Sequence, residues 1–145
     1  MTGAPAPRES IPRTVLVYGG LGLIPFLAPP VVAALRPDLA GFASAMLAVY
    51  GALILSFLGG ARWALAIITA RANAWLISLS MAPTLVALGL MALPPGLRVE
   101  QLAGLAVALA AQGAWDVMAD GLPDWYGRLR LSLTIGAVAG LSLGA

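Results

Sequence analysis

The sequence predicts an all-α integral membrane protein, a compact bundle of about five transmembrane helices. Of its 145 residues, 61% are hydrophobic and only 10% are charged, and the mean hydropathy is +0.95. A soluble domain usually has roughly 25% charged residues, so water is a poor solvent for this chain. A helix that crosses the hydrocarbon needs about 20 apolar residues, and the length therefore allows roughly five or six crossings with short loops.

Breaks in the apolar pattern divide the chain into a tail and five spans. Residues 1–12 are small, polar and proline-bearing, and they predict a disordered cytoplasmic tail. Residues 13–145 form a single predicted transmembrane domain, with spans at about 14–35, 39–58, 72–93, 100–118 and 129–143. Arg8 and Arg13 before an apolar stretch also fit a secretory signal peptide, but the stretch exceeds the usual apolar length of about 7–15 residues.

Prolines and glycines inside the spans predict irregular helices. The first span contains Pro25, Pro29 and Pro30, and the third contains Pro83. Proline has no backbone N–H, so both spans should be kinked and packed against neighbours that supply donors to the freed carbonyls. Gly59 and Gly60 predict that the second span ends or bends there.

The arginines predict an orientation. The side of the membrane that holds the N-terminus carries six arginines and the opposite side carries two, Arg36 and Arg98. Because positive residues accumulate in cytoplasmic loops, the N-terminus is predicted in the cytoplasm and the C-terminus on the opposite side. The six are Arg8, Arg13, Arg62, Arg71, Arg128 and Arg130.

The residue types that are absent narrow the chemistry. The chain has no Cys, His or Lys, which excludes thiolate and imidazole metal sites, Ser-His-Asp triads and Schiff-base lysines. The arginines form no run, so nucleic acid is not an expected partner. We expect no metal, no cofactor and no enzymatic activity; an enzyme that acts on a lipid or quinone is the third hypothesis.

A polar stripe near the end of the fourth span is the chief candidate site. Gln112, Asp116 and Asp120 are four residues apart, so they share one helical face, which should point into the bundle. A carboxylate in the membrane needs a partner, and the expected partner is Arg62, which ends the second span on the same side, or another arginine of the cytoplasmic face. The stripe is either a structural ion pair that fixes helix packing, or part of a proton, ion or ligand site.

Two further groups of residues predict contacts. Aromatic and basic side chains gather on the cytoplasmic face and suggest recognition there, of a lipid headgroup or a partner subunit, although an interfacial helix start also explains them. They are Trp63, Trp125, Tyr126, Arg128 and Arg130. In the last span, Gly136, Gly140 and Gly144 form a small-residue face for close helix packing, inside the bundle or between protomers.

Several strings together resemble one family of small bacterial and mitochondrial membrane proteins, domain of unknown function 3429. They are residues 11–13 (IPR), 18–26 (YGGLGLIPF), 50–51 (YG), 54–60 (ILSFLGG) with Trp63, 125–126 (WY), 129–130 (LR) and 133–134 (LT). The resemblance covers nearly the whole chain, and the chain departs from the family pattern at Ala64, where the family has Gly. It implies a bacterial inner membrane or its mitochondrial equivalent, and no established activity. In a bacterial inner membrane, the arginine distribution predicts a periplasmic C-terminus.

These observations favour an accessory, assembly or scaffold subunit of a larger membrane complex. Its expected partners are the lipid bilayer and either other membrane-protein subunits or a second copy of the chain. The alternative is a small transporter or channel, for protons or a small solute, that uses the pair of Asp116 and Arg62. A buried, dry Asp116 would favour the first hypothesis, and a wet cavity that leads to it would favour the second.

Overall fold

The computed structural model describes residues 10–68, 73–119 and 121–145, and these are helical apart from short connections, without any strand. The prediction of an all-α fold is confirmed. The predicted tail falls mostly on residues 1–9, outside the described residues. The helices are α1 (Arg13–Leu21), α2 (Ile24–Leu35), α3 (Ala40–Ile68), α4 (Ala74–Met91), α5 (Arg98–Val117) and α6 (Asp124–Leu143). Short 3₁₀ turns, Pro37–Leu39 and Pro95–Leu97, precede α3 and α5.

The first predicted span is interrupted at Gly22 and Leu23, between α1 and α2. Pro25 has no N–H to donate, and the Phe26 N–H turns to the Leu23 carbonyl at 3.0 Å. The Gly22 carbonyl instead accepts a hydrogen bond of 2.9 Å from the hydroxyl of Tyr50 on α3. A neighbouring helix thus supplies a donor at the break, as membrane burial requires.

The second span does not end at Gly59 and Gly60, because α3 continues to Ile68. A glycine inside a helix costs about 1 kcal/mol relative to alanine, and tertiary packing outweighs that cost here. Gly59 is buried against α4: a Cβ at this position would lie 2.9 Å from the Ser80 carbonyl oxygen and 3.2 Å from Cβ of Pro83. Glycine therefore permits the close approach of α3 and α4.

Pro83 lies within α4, as Pro29 and Pro30 lie within α2, and each helix continues through its prolines. The predicted kinks stay predictions.

The start of α4 is fixed by Asn73, whose side chain accepts a hydrogen bond of 3.0 Å from the Trp75 backbone N–H.

The connection between α5 and α6 turns at Gly121, whose φ of +80° is a left-handed conformation that favours glycine. Pro123 is the N-cap of α6, which therefore begins at Asp124, five residues before the predicted span at 129. Proline stops the preceding turn and has a backbone angle suited to a helix start. Arg128 and Arg130 therefore both lie on α6.

Helix α3 lies at the centre of the bundle and packs against α2, α4 and α5, while α6 packs against α5 and α2. Leucines from α3, α5 and the last turn of α6 fill the core, where the fully buried ones are Leu47, Leu55, Leu102, Leu105, Leu109 and Leu141. Burying each leucine contributes about 1.5–3 kcal/mol relative to exposure in water, but less relative to lipid.

Large apolar side chains cover much of the outer surface, as expected where the solvent is lipid. Three helical stretches are long and apolar enough to cross a membrane: Arg13–Leu35, Pro37–Ile68 and Ala74–Met91. Helices α5 and α6 have 20 residues each, but each carries three charged side chains. Five crossings therefore remain a prediction, and the charges of α5 and α6 lead to the candidate site.

Candidate functional site: a buried arginine–aspartate cluster

Asp116 is the centre of a buried polar cluster between α3, α5 and α6, with only 3% of its surface exposed. One carboxylate oxygen, Oδ1, accepts a hydrogen bond of 2.9 Å from Nε2 of Gln112, one helical turn earlier. The other oxygen, Oδ2, accepts a hydrogen bond of 2.7 Å from Nε of Arg130 on α6. Both carboxylate oxygens therefore have donors from inside the bundle.

Arg130, which the sequence predicts on the cytoplasmic recognition face, is buried and is the closest cation to Asp116 among the described residues. Its role in recognition stays a prediction. Its exposed fraction is 8%, because its side chain lies between α5 and α6 and pairs with Asp116. The sequence contained a weak signal for this pairing: α5 and α6 are joined by a short connection, so the end of one must lie near the start of the other.

Arg62, the partner predicted from the sequence, contacts Asp116 at a longer distance. Its Nε lies 3.7 Å from Oδ1 of Asp116, within ion-pair range but too far for a hydrogen bond. The guanidinium lies over the ring of Trp115, with its central carbon 4.1 Å from the ring centroid, a cation–π contact. The side chain of Arg62 is 14% exposed, so this edge of the cluster is the more open one.

Two buried donors of the cluster have no hydrogen-bond partner in the described structure: Nη2 of Arg130 and the hydroxyl of Thr134. Thr134 is one helical turn beyond Arg130 on α6 and packs against Gly113 of α5, where a Cβ would lie 2.7 Å from Cγ2 of Thr134. The missing side chain at Gly113 thus brings α5 and α6 together where Asp116 and Arg130 meet. Thr134 and Gly113 were not among the predicted site residues.

The remaining predicted site residues lie around this cluster or outside it. Asp120 falls outside the described residues. Trp125 and Tyr126 are half-buried, with ring centroids 6.3 Å apart, and Tyr126 is near enough to interact electrostatically with Asp116 and both arginines. Trp63 and Arg128 are exposed. These aromatic side chains therefore lie at the end of the bundle that contains the cluster.

The glycine face of α6 packs inside the chain and not against a second protomer. A Cβ at Gly136 would lie 2.9 Å from the Leu23 side chain, and one at Gly140 would lie 2.8 Å from the carbonyl carbon of Phe26 and overlap its oxygen. Pro30 has no N–H for that carbonyl, so Gly140 covers a carbonyl that proline has freed. Gly144 contacts Leu47 of α3.

A cavity of about 430 Å³ lies at the other end of the bundle, away from Asp116. Its lining includes Pro30, Ser44, Arg98 and Leu143. In the described part of the chain, no three His, Cys, Asp or Glu residues are grouped so that they could hold a metal ion.

The chemistry available at the cluster follows from its groups. One carboxylate and two guanidinium groups can hold helices together, bind an anion or transfer a proton at Asp116. With both oxygens of Asp116 accepting short hydrogen bonds, the described arrangement is suited to the first of these.

Comparison with known proteins agrees with the fold. A family model described as "Protein of unknown function (DUF3429)" matches residues 11–145, so the predicted resemblance is confirmed. Transmembrane protein 69 of Xenopus tropicalis is 34% identical over 143 residues, which cover 92% of this chain and 54% of that relative. The chain thus spans about half the length of the relative. No solved structure matches the chain. The apolar helices and the transmembrane relative indicate a membrane protein.

Proposed function

The chain belongs to the DUF3429 family of proteins of unknown function, and we propose that it is a non-enzymatic accessory, assembly or scaffold subunit of a larger complex in the bacterial inner membrane. In this proposal, the chain crosses the membrane five times, with the N-terminus in the cytoplasm and the C-terminus in the periplasm. Its partners are other membrane-protein subunits or a second copy of the chain.

The closed state of the Asp116 cluster is the observation that carries this proposal. Asp116 is 3% exposed and both of its oxygens are engaged by Gln112 and Arg130 at 2.9 and 2.7 Å. A carboxylate enclosed in this way ties α5 to α6 and, through Arg62, to α3. Its role in the proposal is to make a rigid body that presents a fixed surface to partners.

A small transporter or channel would need Asp116 to exchange protons or solute with water. That alternative requires one of the two short hydrogen bonds to open, and the cavity at the other end of the bundle does not include Asp116. We therefore favour contact over transport as the function of this chain.

Site-specific photocrosslinking tests the proposal. Trp75 lies at the end of the bundle that contains the Asp116 cluster, and Phe42 lies at the opposite end. Each is 68% exposed, which makes them a matched pair. A photoreactive amino acid at position 75 is expected to form an abundant adduct with one integral membrane protein, identified by mass spectrometry, whereas position 42 should give mainly lipid adducts. Lipid adducts alone at both positions, with the native size of a single chain, would contradict the proposal.

Single-cysteine labelling tests the proposed orientation. Since the chain has no cysteine, Ser10→Cys and Gly96→Cys each introduce one unique thiol. Both positions are exposed, and the side chain of residue 96 would enter open space. In intact spheroplasts, an impermeant maleimide is expected to label Gly96→Cys at once and Ser10→Cys only after lysis. The reverse pattern would overturn the orientation.

A further inference from the structure

The cluster around Asp116 has an excess of positive charge among the described residues. Asp116 is its one carboxylate, while Arg62 and Arg130 both lie within ion-pair distance of it, at 3.7 and 2.7 Å. Arg130 makes the short hydrogen-bonded pair, which leaves Arg62 as the surplus cation. A charge without a counter-charge is strongly disfavoured inside a membrane protein.

The same cluster has buried donors that need an acceptor. Within the described part of the chain, Nη2 of Arg130 and the Thr134 hydroxyl have no hydrogen-bond partner, and both residues are at least nine-tenths buried. A guanidinium has no acceptor atoms, so Nη2 can be satisfied only by an oxygen or an anion. An unsatisfied buried donor commonly marks a bound water or ion.

The position of the cluster indicates the kind of anion. Asp116 is the next-to-last residue of α5, and Arg130 lies in the second turn of α6, so the cluster is close to one end of both helices. Trp115 and Trp125 lie at the same end, and tryptophans are typical of the headgroup level of a bilayer. The abundant anion at that level is the phosphate of a phospholipid.

We propose that Arg62 and the free Nη2 of Arg130 bind one phosphate group with a single negative charge, that of a phospholipid headgroup. The phosphate supplies the missing charge and the acceptor oxygens, and arginine groups suit phosphate geometry. It enters on the partly exposed side of Arg62, whose long contact with Asp116 includes no hydrogen bond and can be given up. This site goes beyond the proposed subunit role and does not depend on it.

Thermal unfolding of the delipidated chain, followed by tryptophan fluorescence in detergent, tests the site. Phosphatidylglycerol is expected to raise the melting temperature by a few degrees in the wild type. The Arg62→Gln variant should lose most of this rise. Arg13→Gln is the control, because Arg13 is an exposed arginine outside the cluster, and it should keep the full rise.

Two further ligands distinguish the source of the phosphate. An equal effect of inorganic phosphate, again lost in Arg62→Gln, would assign the same site to a soluble anion. An equal effect of phosphatidylcholine would show that the net charge of the headgroup does not contribute to binding. An equal rise in Arg62→Gln and the wild type, or no rise with any ligand, would overturn the proposal.

Two measurements keep the test valid if Arg62→Gln folds poorly. Native mass spectrometry of the wild type should show one phospholipid retained on the chain after detergent washing, and its absence would count against the site.

The Asp120→Asn variant tests whether the carboxylate of Asp120, and not a phosphate, supplies the counter-charge of the cluster. If this variant lowers the melting temperature as far as Asp116→Ala does, while added lipid has no effect, then Asp120 is the counter-charge and the phosphate site does not exist.

Discussion

Replacing Asp116 by alanine is expected to lower the free energy of unfolding by about 3–5 kcal/mol, because it leaves buried arginines without a counter-charge. Arg130, 8% exposed, loses the acceptor of its 2.7 Å hydrogen bond and cannot reach water without leaving the bundle. Gln112 loses its acceptor at the same time. Unfolding in detergent with increasing sodium dodecyl sulfate, followed by tryptophan fluorescence, measures the loss.

The two arginines can be separated by double-mutant cycles. Asp116→Leu combined with Arg130→Met should recover much of the stability that either single change loses, since removing both members of a buried pair leaves no uncompensated charge. Asp116→Leu combined with Arg62→Met should recover less, because that contact is 3.7 Å long and lacks a hydrogen bond. Equal coupling energies in the two cycles, or a neutral Asp116→Ala, would contradict the assigned geometry.

Replacing Gly140 by leucine is expected to separate α6 from α2. The free energy of unfolding should fall by more than the amount typical of an overpacked core, which is about 1–3 kcal/mol. Even a methyl group at this position would overlap the Phe26 carbonyl oxygen and lie 2.8 Å from its carbon. Backbone atoms cannot move aside as a side chain can, so Gly140→Ala should already cost about 1–3 kcal/mol. The measurement is the unfolding midpoint in detergent.

Gly60→Ala is the matched control for Gly140→Ala. Gly60 is also a glycine inside a helix, but a Cβ there meets nothing within 4 Å. Alanine should therefore stabilise this variant by about 0.5–1 kcal/mol through helix propensity alone. Similar losses of stability in both variants would show that the loss comes from replacing any helical glycine, and not from the contact with Phe26. An unchanged midpoint for Gly140→Leu would place that face against lipid.

Within a single helix, the sequence pattern predicted much of the site. The spacing of four residues puts Gln112 and Asp116 on one face, and they are hydrogen bonded at 2.9 Å. The same period aligns Gly136, Gly140 and Gly144, and all three lie against other segments of the same chain. These predictions hold because the rise and rotation per residue of an α-helix are nearly constant, whichever helices lie beside it.

The break at Pro25 shows how far this local information reaches. Proline chemistry predicts an irregular helix, and the first span is interrupted before Pro25, where the Tyr50 hydroxyl donates a hydrogen bond to the Gly22 carbonyl at 2.9 Å. The identity of that neighbour was not predictable, since Tyr50 is 28 positions away in sequence. At Gly59 and Gly60 the helix does not end, because packing of Gly59 against Pro83 keeps α3 continuous, and the alternative of a bend stays a prediction.

By itself, the sequence determined that the chain is helical and apolar, which faces of α5 and α6 carry its polar and small residues, and which chemistries its missing Cys, His and Lys exclude. The tertiary structure alone decided that Arg130 and not Arg62 makes the short pair with Asp116, and that the glycine face of α6 meets α2 of the same chain. The physical reason is that hydrogen bonding along a helix is local, whereas the rotation and crossing of one helix against another depend on how all the side chains between them pack.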